Sequence, residues 1–314
     1  MFEIILSVIA GLILFLFAVN NLSETIQLAI GDRAKKWLLR FTSNTFTGVL
    51  TGTVVTALLD SSSAVIIITI IFVNSKFLTF RQAMGIVLGA NIGTTVSSQI
   101  IAMDVGKFSP LLLLIGFLLL FITKSEKLSN TGKIVLYFGI LFFGLYTMEK
   151  AVEPLKEQPY FTEMLEKTED PLTGSITGAL ATLIIQSSSA TVGMAIILAK
   201  KGLLGLGGGI AIMLGAELGT CSDTLLATIK GSRQAIKTGL FHLSFNILSI
   251  ILGLLFFYPF VALVKSIGNE DHIEHSIANA HMIFNIGGVL IFVWMVPLFE
   301  KVLNKLLPEK TSAA

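Results

Sequence analysis

Ala57-Leu58-Leu59-Asp60-Ser61-Ser62-Ser63-Ala64-Val65-Ile66 sets three serines in an apolar run, and the pattern returns 126 positions later as Leu183-Ile184-Ile185-Gln186-Ser187-Ser188-Ser189-Ala190-Thr191-Val192. Outward from this pair, Gly48–Ile101 matches Gly174–Ala227 without a gap, with 17 identities in 54 positions. Such internal duplication reveals how a chain is organised. A second block, Gly89-Ala90-Asn91-Ile92-Gly93-Thr94, matches Gly215-Ala216-Glu217-Leu218-Gly219-Thr220, and Gly11–Phe15 corresponds loosely with Gly139–Phe143. Polar positions have been kept while bulky apolar ones have drifted. Chance likeness between two apolar helices would do the reverse.

The surroundings of the repeat are those of a membrane protein. Of 314 residues, 54% are hydrophobic and only 13% charged, with a mean hydropathy of +0.84. A soluble domain carries about 25% charged residues. Long apolar runs occupy Met1–Asn20, Leu111–Thr123, Leu240–Val264 and Ile277–Phe299, and a span needs about 20 mostly apolar residues. The N-terminal run lacks a basic start and a small-residue cleavage site, so a retained first span is expected rather than a signal peptide. A net charge of +2 makes no case for nucleic acid, and a lone Cys221 excludes an internal disulfide or a cysteine metal site.

Charge orients the copies. Arg33, Lys35, Lys36 and Arg40 follow the first span, whereas Glu149, Glu153, Glu157, Glu163, Glu166, Glu169 and Asp170 follow its counterpart. Basic segments stay cytoplasmic, so the copies are expected to point in opposite directions, as in inverted-topology repeats. The expected fold is an all-α membrane protein. Residues 1–133 form the first inverted repeat, with a re-entrant hairpin at 42–74 opening inward and a broken helix at 81–102. Residues 134–264 form the second, with a hairpin at 172–199 opening outward and a broken helix at 206–229. Residues 265–314 add a C-terminal span and tail. This topology puts Lys124, Lys127, Lys133, Lys230, Arg233, Lys237, Lys301, Lys305 and Lys310 on the inner side.

The hairpins follow from length. At 1.5 Å per residue, an arm such as Thr45–Leu59 or Ala64–Asn74 reaches roughly 15–22 Å, short of a hydrocarbon core of about 30 Å. A break at the serines would leave them near mid-membrane. The alternative is one long tilted helix whose serines bond back to their own carbonyls. In the hairpin reading the second arm begins at the serines, so its free N–H groups and positive dipole end face the midplane. Three hydroxyls beside them suit a compact oxyanion such as phosphate. Inverted symmetry brings Ser187, Ser188 and Ser189 to meet Ser61, Ser62 and Ser63 from the opposite side.

The glycine block has two readings. Glycines four apart allow close helix packing. A loosened helix would instead offer oxygens to a hard cation such as Na+, with Asn91, Thr94 and Thr95 in one copy and Glu217, Thr220, Ser222 and Asp223 in the other. Asp60, Glu217 and Asp223 are ionisable groups in apolar surroundings, a functional signal by default. Beside an anion they need a neutralising cation or a proton. His242-Leu243-Ser244-Phe245-Asn246 and His281-Met282-Ile283-Phe284-Asn285 form a smaller repeat with His and Asn on one helix face. Structural bonding, a proton relay and a metal site all remain open for it.

With these motifs, the chain resembles the sodium–phosphate cotransporter type II family, bacterial members included. The likeness runs from about Phe15 to Val296 and rests on Gln186-Ser187-Ser188-Ser189 and on Gly89-Ala90-Asn91-Ile92-Gly93-Thr94. It implies Na+-coupled inorganic phosphate symport in the bacterial inner membrane, with no organic cofactor and no enzymatic activity; paired hairpins lead us to expect alternating access by elevator-like movement. It further implies Asn91 as a phosphate residue beside the serines, and Gln186, Thr94, Thr95 and Thr220 as Na+ residues. Asp60 and Glu217 depart from the family's Gln and Asn. The full expectation is phosphate at Ser61, Ser62, Ser63, Ser187, Ser188, Ser189 and Asn91, and Na+ at Asp60, Gln186, Thr94, Thr95, Glu217, Thr220 and Asp223. The lipid bilayer, phosphate and Na+ are the expected partners, and a homodimer is left open. The rivals are transport of another small oxyanion or carboxylate, an anion channel, and a membrane-embedded enzyme.

Overall fold

The structure, a computed structural model, describes residues 2–103, 105–122, 125–229, 231–268 and 272–308. Met1, Thr123, Lys124, Lys230 and Lys310, with the side chain of Lys127, lie outside the described residues.

The chain is all-helical. Helix α1 (Phe2–Phe41) has 40 residues, about 60 Å at 1.5 Å per residue and roughly twice a hydrocarbon core. Arg33, Lys35, Lys36 and Arg40 therefore ride on its far end. Two short helices follow, α2 (Thr45–Leu59) and α3 (Ser62–Asn74). Next come α4 (Phe80–Ala102), α5 (Ser109–Ile122) and α6 (Glu126–Val152). The acidic segment folds into 3₁₀ turns and a small helix α7 (Pro159–Glu166). A second short pair is α8 (Pro171–Ile185) and α9 (Ser188–Lys200). Then follow α10 (Leu206–Gly219), α11 (Cys221–Leu226), α12 (Arg233–Leu255), α13 (Phe257–Ile267), α14 (Ile273–Phe292) and α15 (Val296–Leu306). Six helical stretches are long and apolar enough to cross a membrane among the described residues, and the chain is a multi-pass membrane protein.

Local chemistry sets the boundaries. Asn44 accepts the N–H of Thr47 and Thr47 returns the bond, a capping box that starts α2. Thr79 and Gln82 do the same for α4. Asp170 starts α8 by accepting from Thr173 N at 2.8 Å. Gly205 begins α10 without a side chain of its own, and Glu169 supplies the cap by accepting from Gly205 N and Gly208 N, both at 2.9 Å.

One expectation fails here. The helix expected to break within 81–102 is continuous from Phe80 to Ala102. Its glycines serve packing instead: a Cβ on Gly89 would collide with the Val49 carbonyl of α2, and one on Gly215 with the Ser175 carbonyl of α8. Close backbone approach, not a loosened helix, is what the first copy uses. In the second copy α10 does end at Gly219, and α11 resumes at Cys221. Lys237 is buried within the fold, 1% exposed, with Nζ 2.5 Å from Asn304 Oδ1.

Two apolar cores hold the molecule, and each draws on both halves of the chain. Phe15, Leu141, Val192 and Met213 belong to one. Val55, Ile66, Met84, Phe241 and Phe292 belong to the other.

Candidate functional site

Both short pairs turn in the same way. Asp60 ends α2 at φ 53, ψ 32, and Gln186 ends α8 at φ 56, ψ 31. This left-handed conformation is unusual for a residue with a Cβ, and such strain collects at functional sites. The next serine is extended in both copies and caps the second helix: Ser61 Oγ accepts from Ala64 N and Ser187 Oγ from Ala190 N, each at 3.2 Å. The first turn of a helix has no internal acceptors for its N–H groups. With the third position capped, the N–H groups of Ser62 and Ser63 in α3, and of Ser188 and Ser189 in α9, remain without intrahelical partners.

The two tips meet. A cavity of about 250 Å³ is lined by Ser61, Ser62 and Ser63 from one tip and Ser187, Ser188 and Ser189 from the other. Asp60, Gln186, Thr94, Thr220 and Asp223 add to its polar wall, and among the described residues no Lys or Arg lines it. Two positive helix ends and the six serine hydroxyls of the tips therefore share the space with two carboxylates. Ser97 Oγ donates to Asp60 Oδ1. Ser63 Oγ lies 3.4 Å from Asp223 Oδ2 and links the first tip to α11. Thr94 Oγ1 donates to Ala90 O at 2.9 Å and Thr220 Oγ1 to Ala216 O at 3.1 Å, so each hydroxyl keeps lone pairs for a cation.

Three expected site residues are elsewhere. Asn91 is buried in α4 and donates to Val87 O, and Thr95 donates to Ile92 O; neither reaches the wall. The Glu217 carboxylate is turned away to His281 Nε2 at 2.6 Å and Asn285 Nδ2 at 3.0 Å. Asn91 and Glu217 are both buried among packed helices, 3% and 5% exposed, with their side chains engaged there instead of at the cavity.

The structure also adds residues the motifs did not include. Asn20 and Ser23 of α1 line the cavity, and Ser23 Oγ donates to the Leu59 carbonyl at 2.8 Å, beside the break after α2. Their signal was two polar residues three apart at the end of an apolar run. Ser97, one turn along α4 from Thr94, shared that signal.

The family profile described as Na+/Pi-cotransporter matches residues 14–150 and 152–291. The chain belongs to the Na+/Pi-cotransporter family. It is a transporter of that family and not an enzyme. It is 30% identical over 310 residues to a Bacillus subtilis protein, Uncharacterized protein YqeW, covering 98% of this chain and 99% of that one. It is 23% identical to the Putative inorganic phosphate export protein YjbB of Salmonella typhimurium, over 98% of this chain but 56% of that protein. The human Sodium-dependent phosphate transport protein 2B shares 38% over 95 residues, 29% of this chain and 14% of that one. The chain thus spans about half the length of YjbB and nearly all of YqeW. No solved structure matches it.

Proposed function

We propose that this family member is a Na+-coupled inorganic phosphate symporter that works by alternating access between two inverted repeats. The observation that carries the reading is the cavity: six serines from opposite halves of the chain, two free helix N-termini, two carboxylates and no basic side chain among the described residues. The helix ends and hydroxyls suit a tetrahedral oxyanion. The carboxylates would repel it, so a cation must enter with it. In this reading Ser61, Ser62, Ser63, Ser187, Ser188 and Ser189 hold phosphate, while Asp60, Gln186, Thr94, Thr220 and Asp223 hold Na+. The matched lengths of the tips, 15 and 13 residues in both copies, and their matched left-handed turns support a duplicated unit, and the basic and acidic segments that follow the two first spans support its inversion. Elevator-like displacement of the loaded tips would carry the cavity across the bacterial inner membrane.

An inward Na+ gradient drives uptake in such a carrier. Export enters as a second reading through the printed name of YjbB. Purified protein in vesicles separates the readings. Labelled phosphate should accumulate against its gradient when Na+ is high outside. Accumulation indifferent to the Na+ gradient would refute coupling, and passive phosphate flux without Na+ movement would favour a channel.

A further inference from the structure

Behind the wall made by Thr94 and Thr220 runs a buried line of three side chains. Ser98 Oγ lies 2.7 Å from His281 Nδ1, and His281 Nε2 lies 2.6 Å from Glu217 Oε1. His281 is 1% exposed and Glu217 5%. Asn285 donates to the same oxygen, Oε1, at 3.0 Å, while Oε2 accepts no hydrogen bond from a described residue. Ser98 is one turn from Thr94 along α4, and Glu217 is nearly one turn from Thr220 along α10. The line therefore abuts the cavity without opening onto its polar wall.

The second copy supplies a contrast. Thr224 matches Ser98 at the repeat offset of 126 and meets a histidine in the same manner, with Oγ1 2.9 Å from His242 Nδ1. That branch ends on an amide, since His242 Nε2 faces Asn246 Nδ2 at 3.3 Å. The residue matching Glu217 in the first copy is Asn91. One branch of a near-symmetric pair thus ends on an acid and the other does not. The other titratable groups facing Glu217 are His242 from α12 and Cys221 from α11, with Asp223 facing Cys221 from the cavity side. Among the described residues, α8, α9 and α13 present no titratable side chain to Glu217.

We propose that Glu217, backed by His281, is a proton-binding site that loads together with the anion in the cavity, making a proton a second coupling ion. The inference rests on the phosphate-transport reading. In the loaded form, neutral His281 accepts the Ser98 hydroxyl at Nδ1 and donates Nε2–H to Oε1, and the proton sits on Oε2. Loss of that proton leaves a buried negative charge behind the cavity wall, nearly one helical turn from Thr220. A buried charge is costly, and an anion in the cavity adds its repulsion to that cost, so the proton is held while the anion is bound and leaves more readily once the cavity has emptied. The proton is thus taken up with phosphate on one side and released on the other.

The test uses the full chain in vesicles with an internal pH dye, labelled phosphate and a Na+ gradient. Wild type is compared with Glu217→Gln and with Glu217→Asn, the residue the first copy carries. Phosphate brings protons of its own, but equally in every variant, so differences isolate the site. The H+ to phosphate ratio should fall by about one in both variants, measured on whatever flux remains. An unchanged ratio would overturn the proposal. A wild type that moves no phosphate under a Na+ gradient would overturn the functional reading itself, a separate outcome. Should both variants fail to assemble, Ser98→Ala is read by phosphate binding to purified protein across pH. It removes the His281 Nδ1 partner, so the pH midpoint should move relative to wild type; no movement would overturn the assignment.

Discussion

Replacing Asp60 by glutamine should loosen the dependence of phosphate binding on Na+. The backbone permits the change, because Gln186 already holds the same left-handed conformation in the other tip, φ 56 against φ 53. The amide oxygen can still accept from Ser97, so the loss is mainly one of charge. A cavity of about 250 Å³ treated as a sphere has a radius of about 4 Å. A wall carboxylate then lies about 6 Å from an anion at the centre, and at an effective dielectric of about 20 one unit charge on each repels by about 3 kcal/mol. Removing it should improve phosphate affinity in Na+-free buffer by about 100-fold, at 1.4 kcal/mol per factor of ten. With Na+ bound the wild-type charge is already screened, so affinity there should change far less. Calorimetric titration of phosphate into purified wild type and Asp60→Gln, with and without Na+, reads both numbers. If Na+ improves phosphate affinity by the same factor in both proteins, Asp60 does not carry the coupling charge and the reasoning fails.

Other consequences are smaller. Ser62→Ala and Ser188→Ala should each weaken phosphate binding about 10- to 100-fold, since a hydrogen bond to a charged group contributes about 1.5–3 kcal/mol; equal affinity in wild type and both variants would take the serines out of the site. Gly215→Ala should cost about 1–3 kcal/mol through overpacking against the Ser175 carbonyl. Gly287→Ala, where the added methyl meets open space, serves as the control, and thermal unfolding in detergent should separate the two. The Asp170 carboxylate is held below its ordinary range by the hydroxyl and N–H of Thr173. Its cap on α8 is therefore intact above the ordinary carboxylate pKa and is lost as pH falls through the lowered one. The acid limb of the unfolding midpoint should flatten in Asp170→Ala; an unaltered limb would exclude this cap as its source.

The tips were legible in the sequence because their chemistry is written twice, 126 residues apart, in polar letters against apolar surroundings. Helix lengths did the rest, since arms of 15 and 13 residues leave a turn where the serines fall. The glycine block was not decidable in the same way. Gly89 and Gly93 carry the same letters whether a helix loosens or packs closely, and only the Val49 carbonyl lying against Gly89 separates the two. Glu217 was misplaced because its partner His281 is 64 residues away in sequence. Asp223 stands where Ser97 stands in the first copy, and both reach a serine tip, Ser97 at Asp60 and Asp223 at Ser63, whether or not the helix is interrupted. Ser23 and Asn20 belong to no repeated motif, and folding alone brings them to the tips.

The collision that a methyl on Gly89 or Gly215 would meet has a mechanical side. With backbone lying directly on backbone, α2 rides on α4 and α8 on α10 with no side-chain layer between them to act as a bearing. Neither serine tip can swing aside as a hinged flap while its partner helix stays put, because that would peel apart the tightest seam in the molecule. Each tip and its partner helix are packed as one piece, and the proposed alternating access would then have to move that piece as a whole against its neighbours.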